Sequence, residues 1–303
     1  MRLKITLDIF SGRPNPELLV SDGDAKKLLD SISPSGRMKK VTSKSIQPPS
    51  NLGFRGIIVE QLDKASKEHP SRMQVTHANM FGTDSFSDMD GAGVESFLFS
   101  KLSRFTGVPN RKDFKTYLEK EIKRFKKDWE KIIMVPYPIW PPILFNPCQC
   151  APDPDIAWWN DAGTIQFGNN CYNYASNYRT NTFAQPGRAS GQQYTSLSGC
   201  TVAAGQRSAK DGAIADQLVD LPLADNKCPK KGHLVALVVA PDYDYHWFRK
   251  GPNGRWSHKP GSTAATITDN SNNLITDPRT ADRGPYTQFC TFMQVLHGHI
   301  KIG

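Results

Sequence analysis

A proline-rich stretch separates two parts of the chain. Residues 134–155, MVPYPIWPPILFNPCQCAPDPD, contain seven prolines. Proline lacks a backbone donor, so it interrupts helices and the central strands of sheets. We therefore expect an extended linker at 134–155 between an N-terminal domain over 1–133 and a C-terminal domain over 156–303. The total of 303 residues is enough for two domains of ordinary size.

The N-terminal part mixes strand and helix patterns. Residues 2–10 alternate apolar and polar side chains, which predicts a strand, and SGRPNP at 11–16 predicts a turn. Further strands are predicted in FRGIIVEQL and RMQVTHANMF. We expect a targeting or loading role for this part. Its clearest element is a helix over 111–133 with an apolar face at helical spacing, made by Phe114, Leu118, Ile122, Phe125, Trp129 and Ile132.

The C-terminal part places helices before an antiparallel sheet. GTIQFGNN predicts a short strand or loop, CYNYASNY and SAKDGAIADQL predict helices, and GHLVALVVAP predicts a buried strand. YHWFRK and RWSHK flank a Pro-Asn-Gly turn and predict a hairpin, and TQFCTFMQVL predicts the last strand. The expected fold class is therefore α+β with two domains.

Composition narrows the compartment and the partners. Hydrophobic residues make up 38% and charged residues 22% of the chain, as in folded globular proteins. No apolar run reaches the roughly 18 residues of a membrane span, and the N-terminus lacks a signal-peptide pattern. We expect a cytoplasmic protein or one exported without a cleavable signal. The net charge of +9 indicates either an anionic partner or a charge that only keeps the protein soluble. Nucleic acid is not expected, because no nucleic-acid-binding motif accompanies the charge.

Six cysteines leave the redox state open. Cys148 and Cys150 are too close together for a CxxC zinc knuckle, and no second pair completes a zinc site. In a reducing compartment all six can stay thiols, whereas in an oxidising one several would pair, for example Cys200 with Cys228. The sequence predicts no metal and no cofactor.

Cys171 is the candidate nucleophile. It opens the helix predicted in CYNYASNY, and the positive end of a helix lowers the pKa of a thiol. The resulting thiolate attacks a carbonyl without a further proton acceptor. The alternative is that Cys171 is a small buried core residue.

Two histidines on the predicted hairpin are the candidate partners of this thiol. His246 and His258 are twelve positions apart around a short turn, so antiparallel pairing brings them face to face. One imidazole would contact the thiol, and the other would hold its tautomer, as the third member of a catalytic triad does. A metal site that adds Asp242 and Asp244 is a weaker alternative.

The order of these residues resembles the NlpC/P60 group of papain-like cysteine peptidases. A cysteine on a helix precedes Gly-x-Leu-Val at 232–235, and a histidine follows on each of the next two strands. The resemblance covers about half of the chain. It implies a papain-like fold in which Cys171 is the nucleophile, His246 the base and His258 the orienting residue.

A second resemblance involves the hairpin and the polar loop after it. The segment that begins HWFRKGPNGRWSHKPG and ends DNSNNLITDPRTADRGPY resembles a group that includes insoluble shell-matrix proteins. This resemblance implies no mechanism, but it indicates that such a domain occurs where there is no bacterial wall.

Four further residues are candidates for the site. The oxyanion would be held by the backbone N–H of Cys171 together with a neighbouring donor, for which Asn169 and Tyr174 are candidates. Trp247 and Trp256 are expected to face each other across the hairpin, away from the histidines. They would serve either as a cross-strand packing pair or as a substrate platform.

These features predict a cysteine hydrolase that cleaves an amide bond. A peptidoglycan peptide is the substrate that the family resemblance implies, and the positive charge suits an anionic wall. The expected setting is a toxin or effector delivered by a secretion machine, with an immunity protein as a possible partner. The alternatives are a non-enzymatic secreted matrix or adhesion module with a peptidase-like fold, a thioester acyltransferase, or a deamidase.

Overall fold

The described chain forms two compact units. The first comprises Met1–Ile9, Asn15–Pro49 and Phe54–Tyr137, and the second comprises Phe10–Pro14, Ser50–Gly53 and Pro138–Gly303. The computed structural model describes residues 1–32, 39–40, 48–63, 69–82, 85–109, 111–133 and 148–303.

Two short segments of the N-terminal part therefore belong to the second unit. Phe10–Pro14 and Ser50–Gly53 each interrupt the chain of the first unit. The simple boundary expected from the proline-rich stretch did not predict them. Most of that stretch, residues 134–147, lies outside the described residues.

The first unit is built on a seven-stranded antiparallel sheet. The strand predicted at 72–81 is two strands joined by a turn. In chain order the strands are β1 Arg2–Asp8, β2 Glu17–Ser21, β3 Lys39–Lys40, β4 Gly56–Gln61, β5 Arg72–Val75, β6 Asn79–Phe81 and β7 Ser85–Asp88. They lie side by side in the order β2-β1-β4-β5-β6-β7-β3.

In the described residues of this unit, three α-helices accompany the sheet: α1 Asp22–Ser31, α2 Ala92–Lys101 and α3 Arg111–Ile133. The helix predicted over 111–133 is confirmed as α3. Its solvent face carries lysines, so it is amphipathic. Among the described residues, no helix is both long enough and apolar enough to cross a membrane. The face of α3 that the periodicity predicted is buried at Phe114, Leu118, Ile122 and Phe125.

The second unit places short helices before a five-stranded antiparallel sheet. GTIQFGNN is mostly helix, so its prediction as a strand or loop was wrong. The mixed α+β class, with two antiparallel sheets, is confirmed. The helices are α4 Ile156–Trp159, α5 Thr164–Gly168, α6 Cys171–Ser176 and α7 Ala209–Ala215. The strands are β8 Val219–Asp220, β9 His233–Ala240, β10 Asp244–Lys250, β11 Trp256–His258 and β12 Gln288–Val295, in the order β11-β10-β9-β12-β8.

Both faces of the five-stranded sheet are covered. β9 is buried at every position, and side chains alternate between the two faces of a strand. We call one side the α6 face, defined by the cluster that contains Cys171, Tyr172, Tyr245 and Trp247. The other is the opposite face, defined by the cluster that contains Phe248, Trp256, Tyr286 and Phe292.

Candidate functional site

Local sequence explains why α6 begins at Cys171. The side chain of Asn170 accepts the backbone N–H groups of Tyr172 and Asn173 at 3.0 and 3.1 Å. The side chain of Asn173 in turn accepts the N–H of Asn170 at 3.2 Å, which completes a capping box. The helix ends at Asn177, whose positive φ of 61° terminates the helical backbone.

The thiol of Cys171 is fully buried. Burial raises its pKa well above the usual value, and the Asp244 carboxylate raises that pKa further, whereas the backbone N–H of Trp247 and the charge of Lys259 lower it less. The lowered pKa predicted from the helix position was therefore wrong. Loss of hydration disfavours the thiolate more than the end of a six-residue helix favours it.

The two histidines of the hairpin are in direct contact. His246 Nε2 and His258 Nδ1 are 2.9 Å apart, and His258 Nε2 is 2.9 Å from the carbonyl oxygen of Thr268. A carbonyl oxygen only accepts, so His258 Nε2 carries a proton. In the neutral His258 ring, Nδ1 is then the acceptor and His246 Nε2 the donor. The second imidazole therefore fixes the tautomer of the first.

Cys171 and this pair lie on different sides of the sheet. Tyr245 and Trp247, the β10 residues on either side of His246, belong to the cluster of Cys171 on the α6 face. The His246 ring instead contacts Phe248 at 4.8 Å between ring centroids, on the opposite face. β10 therefore does not present His246 to the α6 face, and the structure does not bring the three predicted catalytic residues together there.

His258 follows the same parity. It pairs with Phe248 across the β10–β11 ladder, and the two rings are 4.9 Å apart between centroids. Directly paired residues in an antiparallel ladder point to the same side of the sheet. Both imidazoles are thus on the opposite face.

His233, which was not predicted as a site residue, contacts α6 directly. His233 Nε2 lies 2.7 Å from the carbonyl oxygen of Ala175, so it donates to the C-terminal part of that helix. Burial lowers its pKa to about 3. A neutral imidazole that ties β9 to α6 explains its position without catalysis.

The two oxyanion candidates have structural partners. Asn169 donates to the carbonyl of Ile165 at 2.8 Å and exchanges hydrogen bonds with Asn181. The hydroxyl of Tyr174 donates to the carbonyl oxygen of Pro154 at 3.0 Å and lies 2.8 Å from Ser257 Oγ. Both side chains are buried, and these contacts join loops to helices α5 and α6.

The tryptophans do not face each other, so that expectation was wrong. Trp247 packs on Tyr172 on the α6 face, with ring centroids 5.4 Å apart. Trp256 stacks on Phe292 on the opposite face, 5.8 Å between centroids. The ladder pairs Trp256 with Lys250, so the two tryptophans occupy positions of opposite parity. Both are fully buried and present no platform to solvent.

A buried carboxylate next to this region binds the turn that the sequence placed at 11–16. Asp244 accepts the backbone N–H groups of Ser11, Gly12 and Arg13 at 2.5, 3.2 and 3.0 Å. Consecutive N–H groups that converge on one anion are a recurrent way to satisfy a buried charge. The sequence signal was the unusual Ser-Gly-Arg-Pro string, for which residue patterns alone offered no partner.

Four cysteines form two disulfides, Cys148–Cys228 and Cys200–Cys290. The pairing of Cys200 with Cys228 considered from the sequence was therefore wrong. The remaining thiols are Cys150, which is exposed, and Cys171. Disulfides of this kind are typical of proteins that pass through an oxidising compartment.

Within the described part of the chain, no group of three or more histidine, cysteine or acidic side chains could hold a metal ion. The alternative that joined Asp242 and Asp244 to the histidines therefore has no structural support. Asp244 is occupied by backbone amides instead.

The molecule is thus a disulfide-bonded α+β protein with a buried cysteine between a short helix and an antiparallel sheet. No protein-family model matches the chain, and no solved structure matches it. The chain is 49% identical over 139 residues to insoluble matrix shell protein 1 of Ruditapes philippinarum, and the match covers 45% of this chain and 85% of that protein. In this matched part, the chain belongs to the family of that shell protein. The resemblance to the NlpC/P60 group stays a prediction.

Proposed function

We propose that this protein is a secreted, non-enzymatic module of an extracellular matrix. The observation that carries the proposal is the similarity to a protein named for an insoluble shell matrix, of which this chain covers 85% at 49% identity. The two disulfides support export, because such bonds persist in oxidising surroundings. The net charge of +9 suits retention by anionic polymers of a matrix.

The arrangement of side chains around Cys171 also favours a structural role. A reactive cysteine is commonly accessible and has a lowered pKa. Cys171 is fully buried, and its pKa is raised. The histidine pair, which would have to activate it, points to the opposite face of the sheet.

Fractionation of secreting cells tests this proposal. The full chain with a C-terminal tag is expected in the extracellular material, in the fraction that stays insoluble at low salt. A later wash with high salt should release the part of this protein that is held by charge alone. Recovery of the chain inside the cells, or wholly in the soluble medium, would contradict the proposal.

The second candidate is a papain-like cysteine hydrolase that acts on peptidoglycan or another peptide. It rests on the order of Cys171, His246 and His258 and on the contact of α6 with β10. The hydrogen bond between the two imidazoles also favours it, because one ring orients the other as a triad requires.

Alkylation of the native chain separates the two candidates. With iodoacetamide at neutral pH, we expect label on the exposed Cys150 and none on Cys171, because the latter is buried and protonated. The matched control is Cys150→Ser, which should take up no label. Faster labelling of Cys171 than of Cys150, with loss of the Cys171 label in His246→Ala, would contradict the matrix module and support the hydrolase.

A further inference from the structure

The backbone of Phe10–Pro14 is held inside the second unit by buried side chains. The carbonyl oxygen of Gly12 accepts hydrogen bonds from Asn170 Nδ2 at 2.7 Å, Gln185 Nε2 at 2.9 Å and Tyr245 OH at 3.1 Å. All three donors are buried. A carbonyl oxygen has two lone pairs, so three converging side-chain donors form a dedicated carbonyl-binding position.

The same segment completes the surroundings of Asp244. Besides the three backbone amides of Ser11, Gly12 and Arg13, this carboxylate accepts the hydroxyl of Tyr286 at 2.5 Å. Without the segment, only the tyrosine of these four donors would remain. A buried carboxylate with so few partners is unfavourable, so the site is complete only when a peptide backbone fills it.

The site also selects the residue at its centre. A Cβ atom on Gly12 would lie 2.4 Å from the ring of Tyr245. That ring is fully buried, so it has no room to move away. On either side, Ser11 Oγ lies 2.8 Å from the hydroxyl of Tyr286, and Arg13 donates to the carbonyl of Tyr243 at 3.3 Å. The site therefore contacts the side chains of a serine and an arginine, and it has room only for a glycine between them.

We infer that these residues form a peptide-binding site for Ser-Gly-Arg, and that the segment Phe10–Pro14 of a second copy of this chain fills it when copies assemble. The chain on both sides of the segment, in β1 and β2, belongs to the first unit. An identical segment from another copy fits every contact that the chain's own segment makes. Exchange of identical elements is a low-cost route by which copies of a protein associate.

Exchange between copies would join them into larger assemblies, so this inference rests on the proposed matrix function. Separate experiments test the matrix function and the exchange. The matrix function fails if the chain is found inside the cells or wholly in the soluble medium, whereas the exchange fails if the purified variants described below form no heterodimer.

A synthetic peptide tests the site directly. The variant Gly12→Ala is expected to displace the chain's own segment, because the added methyl group meets the ring of Tyr245. A fluorescent peptide of residues 9–16, IFSGRPNP, should then bind this variant saturably in an anisotropy titration. The same peptide carrying Gly12→Ala should bind at least about tenfold more weakly. The matched control is Gly23→Ala, whose Cβ meets nothing within 4 Å. It should bind no peptide, because its own segment stays in place.

Complementation between two variants tests exchange between copies. Gly12→Ala has an impaired segment but an intact site, and Asp244→Asn has an intact segment but a site whose amide group opposes the backbone donors. Mixed at high concentration, the pair should form a 1:1 heterodimer that neither variant forms alone, as measured by size-exclusion chromatography with light scattering. Asp244→Asn mixed with Gly23→Ala should form none.

If the Gly12→Ala chain keeps both disulfides and a native circular dichroism spectrum, failure to bind the peptide overturns the binding site, and failure to form the heterodimer overturns the exchange between copies. If that variant does not fold, a cleavable form of the chain tests the inference instead. A specific protease site inserted between Pro14 and Asn15 allows the folded chain to be cut afterwards. The cut chain should then exchange its segment for the labelled peptide, and failure to do so would equally overturn the inference.

Discussion

Acidification is expected to weaken the second unit through His233. This imidazole is fully buried, and its pKa is lowered from 6.5 to about 3, mainly by burial. The unfolded chain therefore binds a proton that the folded chain does not. The contribution of His233 to the free energy of unfolding is complete above the unfolded pKa, and it is lost as the pH falls from about 6.5 towards about 3.

The size of the effect follows from the pKa difference. Each pH unit within this window removes about 1.4 kcal/mol from the free energy of unfolding. A solution at about pH 5 is about 1.5 units below the pKa of the unfolded state. Protonation of His233 in the unfolded chain therefore lowers the free energy of unfolding by about 2 kcal/mol relative to its value at about pH 7.5. This loss is a substantial part of the roughly 5–15 kcal/mol that stabilises a typical domain.

The measurement compares the wild-type chain with His233→Gln in urea unfolding, followed by tryptophan fluorescence at both pH values. Glutamine keeps a donor for the carbonyl of Ala175 but has no proton to gain in this range. On acidification, the free energy of unfolding of the wild type should fall by about 2 kcal/mol more than that of the variant. His297, whose pKa is also lowered by burial, is present in both chains. Equal losses in the two chains would show that His233 does not cause the sensitivity to acid.

Two further predictions concern stability. Replacement of Cys200 and Cys290 by serine opens a loop with a sequence separation of 90 and should lower the free energy of unfolding by about 3–5 kcal/mol. Cys150→Ser, the control at a free exposed thiol, should change it by less than about 0.5 kcal/mol. Equal effects of the two would contradict the stabilising role of the disulfide. Arg249→Lys should lower stability by about 2–4 kcal/mol in denaturant unfolding, and an unchanged midpoint would contradict this. The reason is that the guanidinium donates to four oxygens, which belong to Tyr174, Asn177, Asp153 and Pro154.

Elements with a long, regular pattern could be predicted from the sequence. The apolar spacing of α3 and the apolar run of β9 each persist over several turns or residues, so one local preference dominates. The short helix α5 was missed because glycine, threonine and isoleucine favour other local structures. Its N-terminus is stabilised instead by Asp161, whose carboxylate accepts the N–H groups of Gly163, Ile165 and Gln166.

The candidate site was predicted less well because its parts are distant in the chain. Six cysteines allow fifteen complete pairings, and only the folded chain selects Cys148–Cys228 and Cys200–Cys290. The turn that caps Asp244 precedes it by more than 200 residues, as the separation of 233 between Ser11 and Asp244 shows. No local pattern could have joined them.

The hairpin that brings His246 and His258 together follows from the sequence, since a short turn and antiparallel pairing are local properties. The sequence also implies that His246 and Trp247 point to different sides of their strand, because the side-chain period of a strand is two. Which of those sides receives α6 and Cys171 depends on the tertiary structure. That choice depends on how helices, loops and disulfides cover both faces of the sheet, and such packing joins residues that no local pattern relates.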